Sequence, residues 1–291
     1  MEQKKWDGKT KGSLWGYKFF IYSIRFLGVR FAYFFCLGVS GYFLLFSRKP
    51  RRALVSFYQK GFNYSKWKAI RASAKNLYLF GQTLIDRIAL KTPRKRIFTF
   101  RFNNEEALIK MNEAGKGGFL FSAHLGNWEN AGNLLGERIT LKINILMLDA
   151  EVQKIKAFIE DSAGKSQYQL IPIKDDLSHL ILIHQALKRN ELIALHADRT
   201  TPGQKSFRLP FLNGFAEFPA GPFIMAHKFK VPLTFVYAVK SGSTHYELSA
   251  TDPITEFESP EKIAETYAKH LEKQVKASPT QWFNFFEYYV D

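Results

Sequence analysis

The pattern of apolar positions separates an N-terminal part with helical periodicity from a longer part in which short apolar runs alternate with helical segments. In the first part, the stretch FAYFFCLGVSGYFLLFS, residues 31–47, contains no charged side chain. At about 1.5 Å per residue, a helix of this length is near the lower limit for crossing the hydrocarbon core of a bilayer. The pattern predicts a membrane-anchor helix that either spans the bilayer or lies in its interface, with a buried core helix as the soluble alternative.

The residues around this stretch favour the membrane interpretation. The preceding segment, residues 16–30, is apolar but interrupted by Lys18, Arg25 and Arg30, and it carries tyrosines of the kind found at membrane interfaces. The following segment SRKPRR, residues 47–52, is strongly basic, and such blocks stay on the cytoplasmic side of a membrane. A cleaved signal peptide is not expected, because no small-residue cleavage pattern follows the apolar run.

Helical periodicity returns between Ser65 and Lys91, where apolar residues recur on one face and several lysines and arginines lie on the others. The sequence therefore predicts three parts. Residues 1–52 form a membrane-anchor segment with a basic flank, residues 53–96 a helical, cationic connecting region, and residues 97–291 a single α/β domain.

In this last part, short runs rich in branched and aromatic residues alternate with helical patterns, which is typical of an α/β fold with a mostly parallel central sheet flanked by helices. Strands are predicted at 119–123, 143–148, 170–173, 192–197, 232–239 and 246–250. Helices are predicted around 128–138, 151–161 and 177–189. A last helix is predicted from Ser259-Pro260, a favourable cap and first turn, to Pro279.

The charge of the chain narrows its possible partners. With 42 lysines and arginines against 26 acidic residues, the 291-residue chain has a formal charge of +16. Such a charge suits nucleic acid, an anionic membrane surface or a solvated basic surface. Together with the apolar stretch it favours a membrane, and we expect no nucleic-acid partner. The single cysteine, Cys36, excludes an internal disulfide framework.

The residues that best suit catalysis lie in FLFSAHLGNWENAG, residues 119–132. An apolar strand leads into His124, and Glu129 follows five positions later in the first turn of a predicted helix. Glu129 could hold one imidazole nitrogen, fix the tautomer, and stabilise the imidazolium once the other nitrogen takes a proton. His124 would then deprotonate a substrate hydroxyl, which attacks an activated acyl carbonyl. The alternative is a structural histidine followed by a glutamate that interacts with the helix dipole.

The form HLGNWE of this His-x-x-x-x-Glu motif resembles the lipid A biosynthesis (late) acyltransferase family, a branch of the glycerolipid acyltransferases. Three further blocks are similar to that family and occur in the same order. They are ALHADRTTPGQ at 194–204, FLNGFAEFPAGPFIMAHKFKVPLTFVY at 211–237, and PTQWFNF from Pro279. The resemblance covers most of the chain and implies a glycerolipid acyltransferase-like fold with an N-terminal membrane helix.

The resemblance implies transfer of a fatty acyl chain from an acyl thioester, with acyl carrier protein or acyl-CoA as donor, to a hydroxyl of an anionic lipid A precursor. It places this step of lipopolysaccharide synthesis at the cytoplasmic face of the bacterial inner membrane. His124 is the implied general base and Glu129 its partner. Asp198 and Arg199 are expected to position the acceptor or its phosphate, with an exposed ion pair as the alternative. The expected substrate-binding residues are Gly126, Asn127, Asp198, Arg199, Arg208, Glu217 and Gly221.

Two departures from the family pattern leave the acceptor open. LMLDAEVQ, residues 146–153, has no arginine where members often carry one, and Glu217-Phe218-Pro219 replaces a common run of threonines. An aminolipid, a glycolipid or a polyene pigment is therefore an alternative acceptor. A non-enzymatic, basic membrane-binding protein is the alternative of another class. The sequence has no His-Glu-x-x-His spacing and no glycine-rich nucleotide loop, so we expect neither a metal nor a cofactor.

Overall fold

The structure, a computed structural model, describes residues 14–128, 142–148, 168–174, 176–201 and 203–290. The chain forms two compact units. An N-terminal helical unit comprises the residues up to Thr99 together with Phe283–Tyr288, and an α/β unit comprises Phe100–Trp282 with the residues from Tyr289 onward. The predicted boundary at residue 52 stays a prediction.

The described part of the N-terminal unit contains four α-helices, which are α1 (Leu14–Phe26), α2 (Val29–Phe46), α3 (Arg48–Phe62) and α4 (Lys66–Ala89). A 3₁₀-helix at Pro93–Ile97 follows them. Ser65 caps α4 by accepting a hydrogen bond from the amide of Lys68. Thr92 caps the 3₁₀-helix in the same way through the amide of Arg94. The helix predicted between Ser65 and Lys91 is therefore confirmed.

Helix α2 packs along α4 through small and polar side chains. The hydroxyl of Tyr33 donates a hydrogen bond to the carboxylate of Asp86, and both residues are buried. Cys36 lies directly over Gly81, where an added Cβ atom would overlap its sulfur. Because residue 33 meets residue 86 and residue 36 meets residue 81, the two helices run antiparallel.

The predicted apolar helix is present as α2. Among the helices of the described residues, it is the one long and apolar enough to cross a membrane. Length and composition are the only grounds for that statement, because the core helix of a soluble protein can meet the same criterion. A membrane position for α2 stays a prediction at this point.

The described part of the α/β unit contains ten strands and four further helices. The strands are β1 (Thr99–Asn103), β2 (Gly118–Ser122), β3 (Ile143–Leu148), β4 (Tyr168–Ile173), β5 (Leu192–His196), β6 (Ser206–Phe211), β7 (Gly214–Pro219), β8 (Leu233–Lys240), β9 (His245–Ala250) and β10 (Tyr289–Val290). The helices are α5 (Glu106–Glu113), α6 (Ser178–Lys188), α7 (Ala220–Phe229) and α8 (Pro260–Ala277).

Seven of these strands form one sheet in the order β1-β9-β8-β2-β5-β3-β4. The five neighbours from β8 to β4 are parallel, and β9 runs antiparallel to β8. The predicted α/β fold with a mostly parallel sheet is therefore confirmed. Strands β10, β7 and β6 form a separate three-stranded sheet with antiparallel pairing.

The two faces of the large sheet have different cores. On one face, Phe121 and Phe235 contact Tyr267 of α8 in edge-to-face pairs, and Phe121 also contacts Phe223 of α7. The other face carries an aliphatic cluster that α5 helps to cover. Its members include Leu108, Met111, Leu120, Ile143 and Ile145.

All six predicted strands are present, each with its ends within two residues of the prediction. The helices predicted around 177–189 and from Ser259 are α6 and α8. The helices predicted around 128–138 and 151–161 lie outside the described residues except for residue 128. Strands β1, β6, β7 and β10 were not predicted, because three of them place exposed side chains between buried or half-buried ones and the last is two residues long.

The Tyr33–Asp86 hydrogen bond should stabilise the N-terminal unit. Replacing Tyr33 with Phe removes a buried donor to a carboxylate, and we expect a loss of about 1–3 kcal/mol in the free energy of unfolding. The matched control is Tyr42→Phe, because Tyr42 lies on the same helix but is exposed. Thermal unfolding of the full chain in detergent measures both variants, and equal melting temperatures would contradict the prediction.

Candidate active site

The register of two parallel strands brings the central residues together. Ser122, the last residue of β2, lies opposite His196, the last residue of β5. The amide of Ala197 still donates to the carbonyl of Ser122, at 3.1 Å. The backbone continues for two residues beyond the end of β2 and of β5, so His124 and Asp198 meet at the carboxyl edge of the sheet. This edge is where open α/β sheets present their functional side chains.

Asp198 holds His124 through both the side chain and the backbone. Oδ1 of Asp198 lies 2.8 Å from Nδ1 of the imidazole, and Oδ2 accepts from the His124 amide at 2.9 Å. The indole Nε1 of Trp282 also donates to Oδ2, at 2.9 Å. Because an ionised carboxylate only accepts, the hydrogen lies on Nδ1, and the lone pair of the neutral ring lies on Nε2.

The carboxyl group of Asp198 is ionised despite complete burial. Burial alone would raise its pKa, but the electrostatic interaction and hydrogen bond with His124, together with the nearby Arg199, hold the pKa well below its usual range. The same negative charge adds to burial in raising the pKa of Tyr237 above its usual range. Asp198 therefore supplies a fixed negative charge beside the imidazole at all pH values where a histidine titrates.

A row of aromatic side chains lies beside the imidazole of His124. The ring of His196 stacks on that of His124 with centroids 4.3 Å apart, and Trp128 contacts His196 edge-on at 4.5 Å. The side chain of His124 itself is 26% exposed, whereas that of Asp198 is fully buried. The imidazole is thus the member of the pair that a substrate can reach.

The cluster has the composition of a possible metal site. His124, His196 and Asp198 each offer one ligand atom, and these atoms lie within 4.8 Å of one another. Both oxygens of Asp198, however, already accept hydrogen bonds from N–H groups. A metal ion would have to replace the short contact between Asp198 and His124, so the geometry fits a hydrogen-bonded pair better than a metal centre.

The turn after His124 is held by the C-terminal Gln-Trp segment. The amide of Gly126 donates to the carbonyl of Gln281 at 2.9 Å, and the amide of Asn127 to the carbonyl of Ala238 at 2.8 Å. The side chain of Gln281 in turn bonds both backbone groups of Lys240, at 2.8 and 2.7 Å. The backbone amides of Gly126 and Asn127 therefore donate to other parts of the protein and are not directed at a substrate.

Gly126 is required by this turn. Its φ is +68°, a left-handed conformation that glycine adopts most readily, and an added Cβ atom would overlap the carbonyl oxygen of Ala238. The backbone at Gly126 thus approaches strand β8 closely. A direct contact between Gly126 and substrate stays a prediction.

A small apolar cavity of about 40 Å³ is lined in part by His196. The described residues lining it come from four neighbouring strands and from Trp128. They include Leu120, Ile143, Ile145, Ala194, His196 and Val236. These side chains lie on the sheet face that carries the aliphatic cluster. The cavity suits an apolar group, because a polar ligand would find few hydrogen-bond partners there.

The structure places the predicted site residues in several different environments. Glu129, the predicted partner of His124, lies outside the described residues. Asp198, expected to position the acceptor, is buried against His124, because the strand register brings the two residues together, and its contact with the acceptor stays a prediction. Asn127 is also buried, and its side-chain amide donates to the hydroxyl of Tyr246 at 3.3 Å.

The remaining predicted residues are spread over the α/β unit. Arg199 is partly exposed and follows Asp198 directly. Arg208 and Glu217 face each other across β6 and β7, and both are exposed. The guanidinium of Arg208 lies over the ring of Phe215, 4.9 Å from its centroid. Gly221 is in the first turn of α7. Substrate binding by these residues stays a prediction.

The sequence motifs did not assign roles to Trp282 and Gln281, although both belong to a block used for the family resemblance. The indole of Trp282 donates a hydrogen bond to Asp198. The backbone of Trp282 also forms an antiparallel bridge with Leu125, the residue after His124. Local periodicity gives no sign of contacts between residues so far apart in the chain. A signal was present for Asp198, since it lies two residues past its strand just as His124 does.

These features define an α/β protein with a histidine–carboxylate pair at the carboxyl edge of a parallel sheet, beside an apolar cavity. A family model described as bacterial lipid A biosynthesis acyltransferase matches residues 2–289. The chain belongs to this family, which confirms the resemblance, and it is accordingly an acyltransferase. A search of curated proteins gives no match.

Replacing Gly126 with Ala should disturb the site and the fold together. The change combines left-handed strain with an overlap against Ala238, and we expect a loss of at least about 2 kcal/mol in the free energy of unfolding. Gly203→Ala is the matched control, since Gly203 also has a positive φ but has open space around it. Denaturant unfolding compares them, and similar losses would show that the overlap with Ala238 does not matter.

Proposed function

We propose that this acyltransferase moves a fatty acyl chain from an acyl thioester, with acyl carrier protein as the expected donor, to a hydroxyl of a lipid A precursor. The reaction takes place at the cytoplasmic face of the bacterial inner membrane. The contact between Nδ1 of His124 and Asp198 carries the proposal, because it orients the other imidazole nitrogen as a base. Family membership supports the reaction class and the lipid acceptor.

In the proposed mechanism, Nε2 of His124 takes the proton of the acceptor hydroxyl as its oxygen attacks the thioester carbonyl. The C–O bond forms, and the carbonyl electron pair moves onto oxygen to give a tetrahedral intermediate. When the intermediate collapses, the C–S bond breaks and the imidazolium returns its proton to the leaving thiolate. The products are an ester and a free thiol, so no further reactant is required.

Asp198 stabilises the imidazolium in this cycle. Its charge is buried and fixed next to Nδ1, where it lowers the energy of the protonated ring when the proton arrives at Nε2. The donors Trp282 Nε1 and the His124 amide keep the carboxylate oriented. We retain Glu129 as a proposed catalytic residue, and the described geometry makes Asp198 the residue that holds Nδ1.

The surroundings suit the two substrates. The apolar cavity beside His196 would receive part of the acyl chain, with its volume of about 40 Å³ sufficient for only a short portion of it. The formal charge of +16 favours an acidic carrier protein and an anionic lipid acceptor. Arg199 and Arg208 are the proposed contacts to the anionic groups.

Loss of the base should abolish turnover. With acyl carrier protein thioester and a lipid A precursor, we expect His124→Ala to reduce kcat by about 10³-fold or more, because the hydroxyl loses its proton acceptor. His184→Gln is the matched control, since His184 is an exposed histidine of α6. Mass spectrometry of the lipid product measures both variants and identifies the acceptor. Turnover by His124→Ala at the rate of the control would remove the mechanism.

Asp198 and Glu129 can be separated by conservative substitution. We expect Asp198→Asn to lower kcat by about 10²–10⁴-fold, because an amide cannot stabilise the imidazolium or enforce its tautomer. Glu129→Gln in the same assay shows whether the second carboxylate contributes. A wild-type rate for Asp198→Asn together with a large loss for Glu129→Gln would assign the supporting role to Glu129 alone.

The pH profile should report the charge of Asp198. A general base is active when neutral, so kcat/KM falls as pH decreases through the titration of the imidazole. Because the pKa of Asp198 is far below that range, its negative charge favours the protonated ring throughout the fall. Removing the charge in Asp198→Asn should move the acid limb to lower pH. An unchanged limb would show that another group determines it.

A further inference from the structure

Helix α2 has an arrangement of side chains opposite to that of a soluble helix. The side chains that it buries are mostly small or polar, including Ala32, Cys36 and Ser40. Its large apolar side chains point outward, with Phe34 69% and Phe46 67% exposed. Such a surface requires an apolar environment, because water would have to solvate a continuous row of large hydrophobic groups.

The exposed apolar face extends beyond α2 onto the end of α1 and the following turn. We define the apolar face as the exposed residues Tyr22, Phe26, Leu27, Phe34, Phe35, Leu37, Val39, Tyr42, Leu45 and Phe46. Helix α1 packs against α2, so these side chains belong to one surface of the N-terminal unit. Two of its aromatic residues, Tyr22 and Tyr42, are of the type that concentrates at membrane–water interfaces.

The inner side of α2 is attached to a charged helix. The Tyr33–Asp86 hydrogen bond and the contact of Cys36 with Gly81 hold α2 along α4. Helix α4 carries an exposed Lys75 and a partly exposed Arg87, twelve residues apart. At the helical rise these two positions are separated by about 18 Å, well below the roughly 30 Å of a hydrocarbon core.

This attachment opposes a transmembrane position for α2. If α2 crossed the bilayer, α4 would be immersed beside it, and Lys75 or Arg87 would lie within the hydrocarbon. Each such charge costs about 2.5–3.5 kcal/mol at the centre of a spanning helix. The other position, with α2 in the plane of the membrane, leaves α4 on the aqueous side of the apolar face.

The distribution of cations also favours the in-plane position. Near the start of α2 are the exposed Arg25 and Arg30, and Arg94 donates to the carbonyl of Arg25 at 3.2 Å. Beyond its end are the exposed Arg48 and Lys49. A spanning helix places its positive charges mainly on one side of the membrane, whereas a helix lying on an anionic leaflet has them at both ends.

We infer that α2 lies in the plane of the cytoplasmic leaflet, with the apolar face inserted among the acyl chains and both basic ends in contact with anionic headgroups. The protein is then a monotopic membrane protein. This inference rests on the proposed function because it requires that the reaction takes place at a membrane. It does not depend on the catalytic mechanism.

The two ends of α2 should be accessible from the same side of a membrane. The experiment uses Arg30→Cys, Lys49→Cys and Leu37→Cys, each in the full chain with Cys36→Ser, in inverted inner-membrane vesicles that expose the cytoplasmic face. We expect a membrane-impermeant maleimide to label positions 30 and 49 without detergent, and position 37 only after solubilisation. Protection of either end until detergent is added would overturn the in-plane position in favour of a spanning helix.

Labelling at all three positions together with release of the protein by a salt wash would overturn membrane insertion itself. Acyl transfer measured on the same vesicles keeps the two questions apart. Turnover that persists with one protected end leaves the proposed reaction intact while removing the inference. Absence of turnover with the expected labelling pattern would support the in-plane position and remove the proposed reaction.

A charge on the apolar face should weaken binding. We expect Phe34→Asp to reduce partitioning of the full chain onto phosphatidylglycerol-containing phosphatidylethanolamine vesicles by about tenfold or more, the effect of losing one buried aromatic side chain. Ile181→Asp is the control, because Ile181 is an exposed apolar residue of α6 in the other unit. Equal partitioning of the two variants would exclude the apolar face as the inserted surface.

Discussion

The site depends on one buried carboxylate. Asp198 has no exposure to solvent, and three N–H groups, two from His124 and one from Trp282, satisfy its oxygens. A buried charge is stable only with such partners, so the strands, the turn at Gly126 and the C-terminal Gln-Trp segment must all be in place for the imidazole to be oriented. The geometry of the candidate site and the stability of the fold therefore depend on the same residue.

The N-terminal unit is organised differently from the α/β unit. A polar contact lies between its helices, and large hydrophobic side chains lie on its surface. Tyr33 and Asp86 satisfy each other between α2 and α4, while large aromatic side chains remain outside. The stability of such a unit in water would be limited by its exposed apolar area, and a bilayer surface removes that limit. In the proposed in-plane position, the N-terminal unit and the lipid acceptor share one leaflet.

The fold was largely predictable from sequence because the buried strands have strong local patterns. Strands such as β2 and β5 are continuous apolar runs, which short-range pattern identifies directly. Strands β6 and β7 carry exposed charges at Arg208 and Glu217, and the pattern there does not distinguish a strand from a loop.

The site was predictable only in part. His124 was selected as a candidate from its place at a strand end, and Asp198 was selected as a contact to the acceptor. The contact of Asp198 with His124 follows from the neighbouring positions of β2 and β5 in the sheet, which no local pattern contains. The donor Trp282 lies 84 residues from Asp198, so its contact depends on the complete fold.

The central claim is that Asp198 holds Nδ1 of His124, and NMR of the full chain with ¹⁵N-labelled histidine measures this directly. We expect His124, assigned by the loss of its signal in His124→Gln, to be the Nδ1–H tautomer at neutral pH, with a downfield proton that is lost or shifted in Asp198→Asn. A predominant Nε2–H tautomer, or a signal that does not respond to Asp198→Asn, would contradict it.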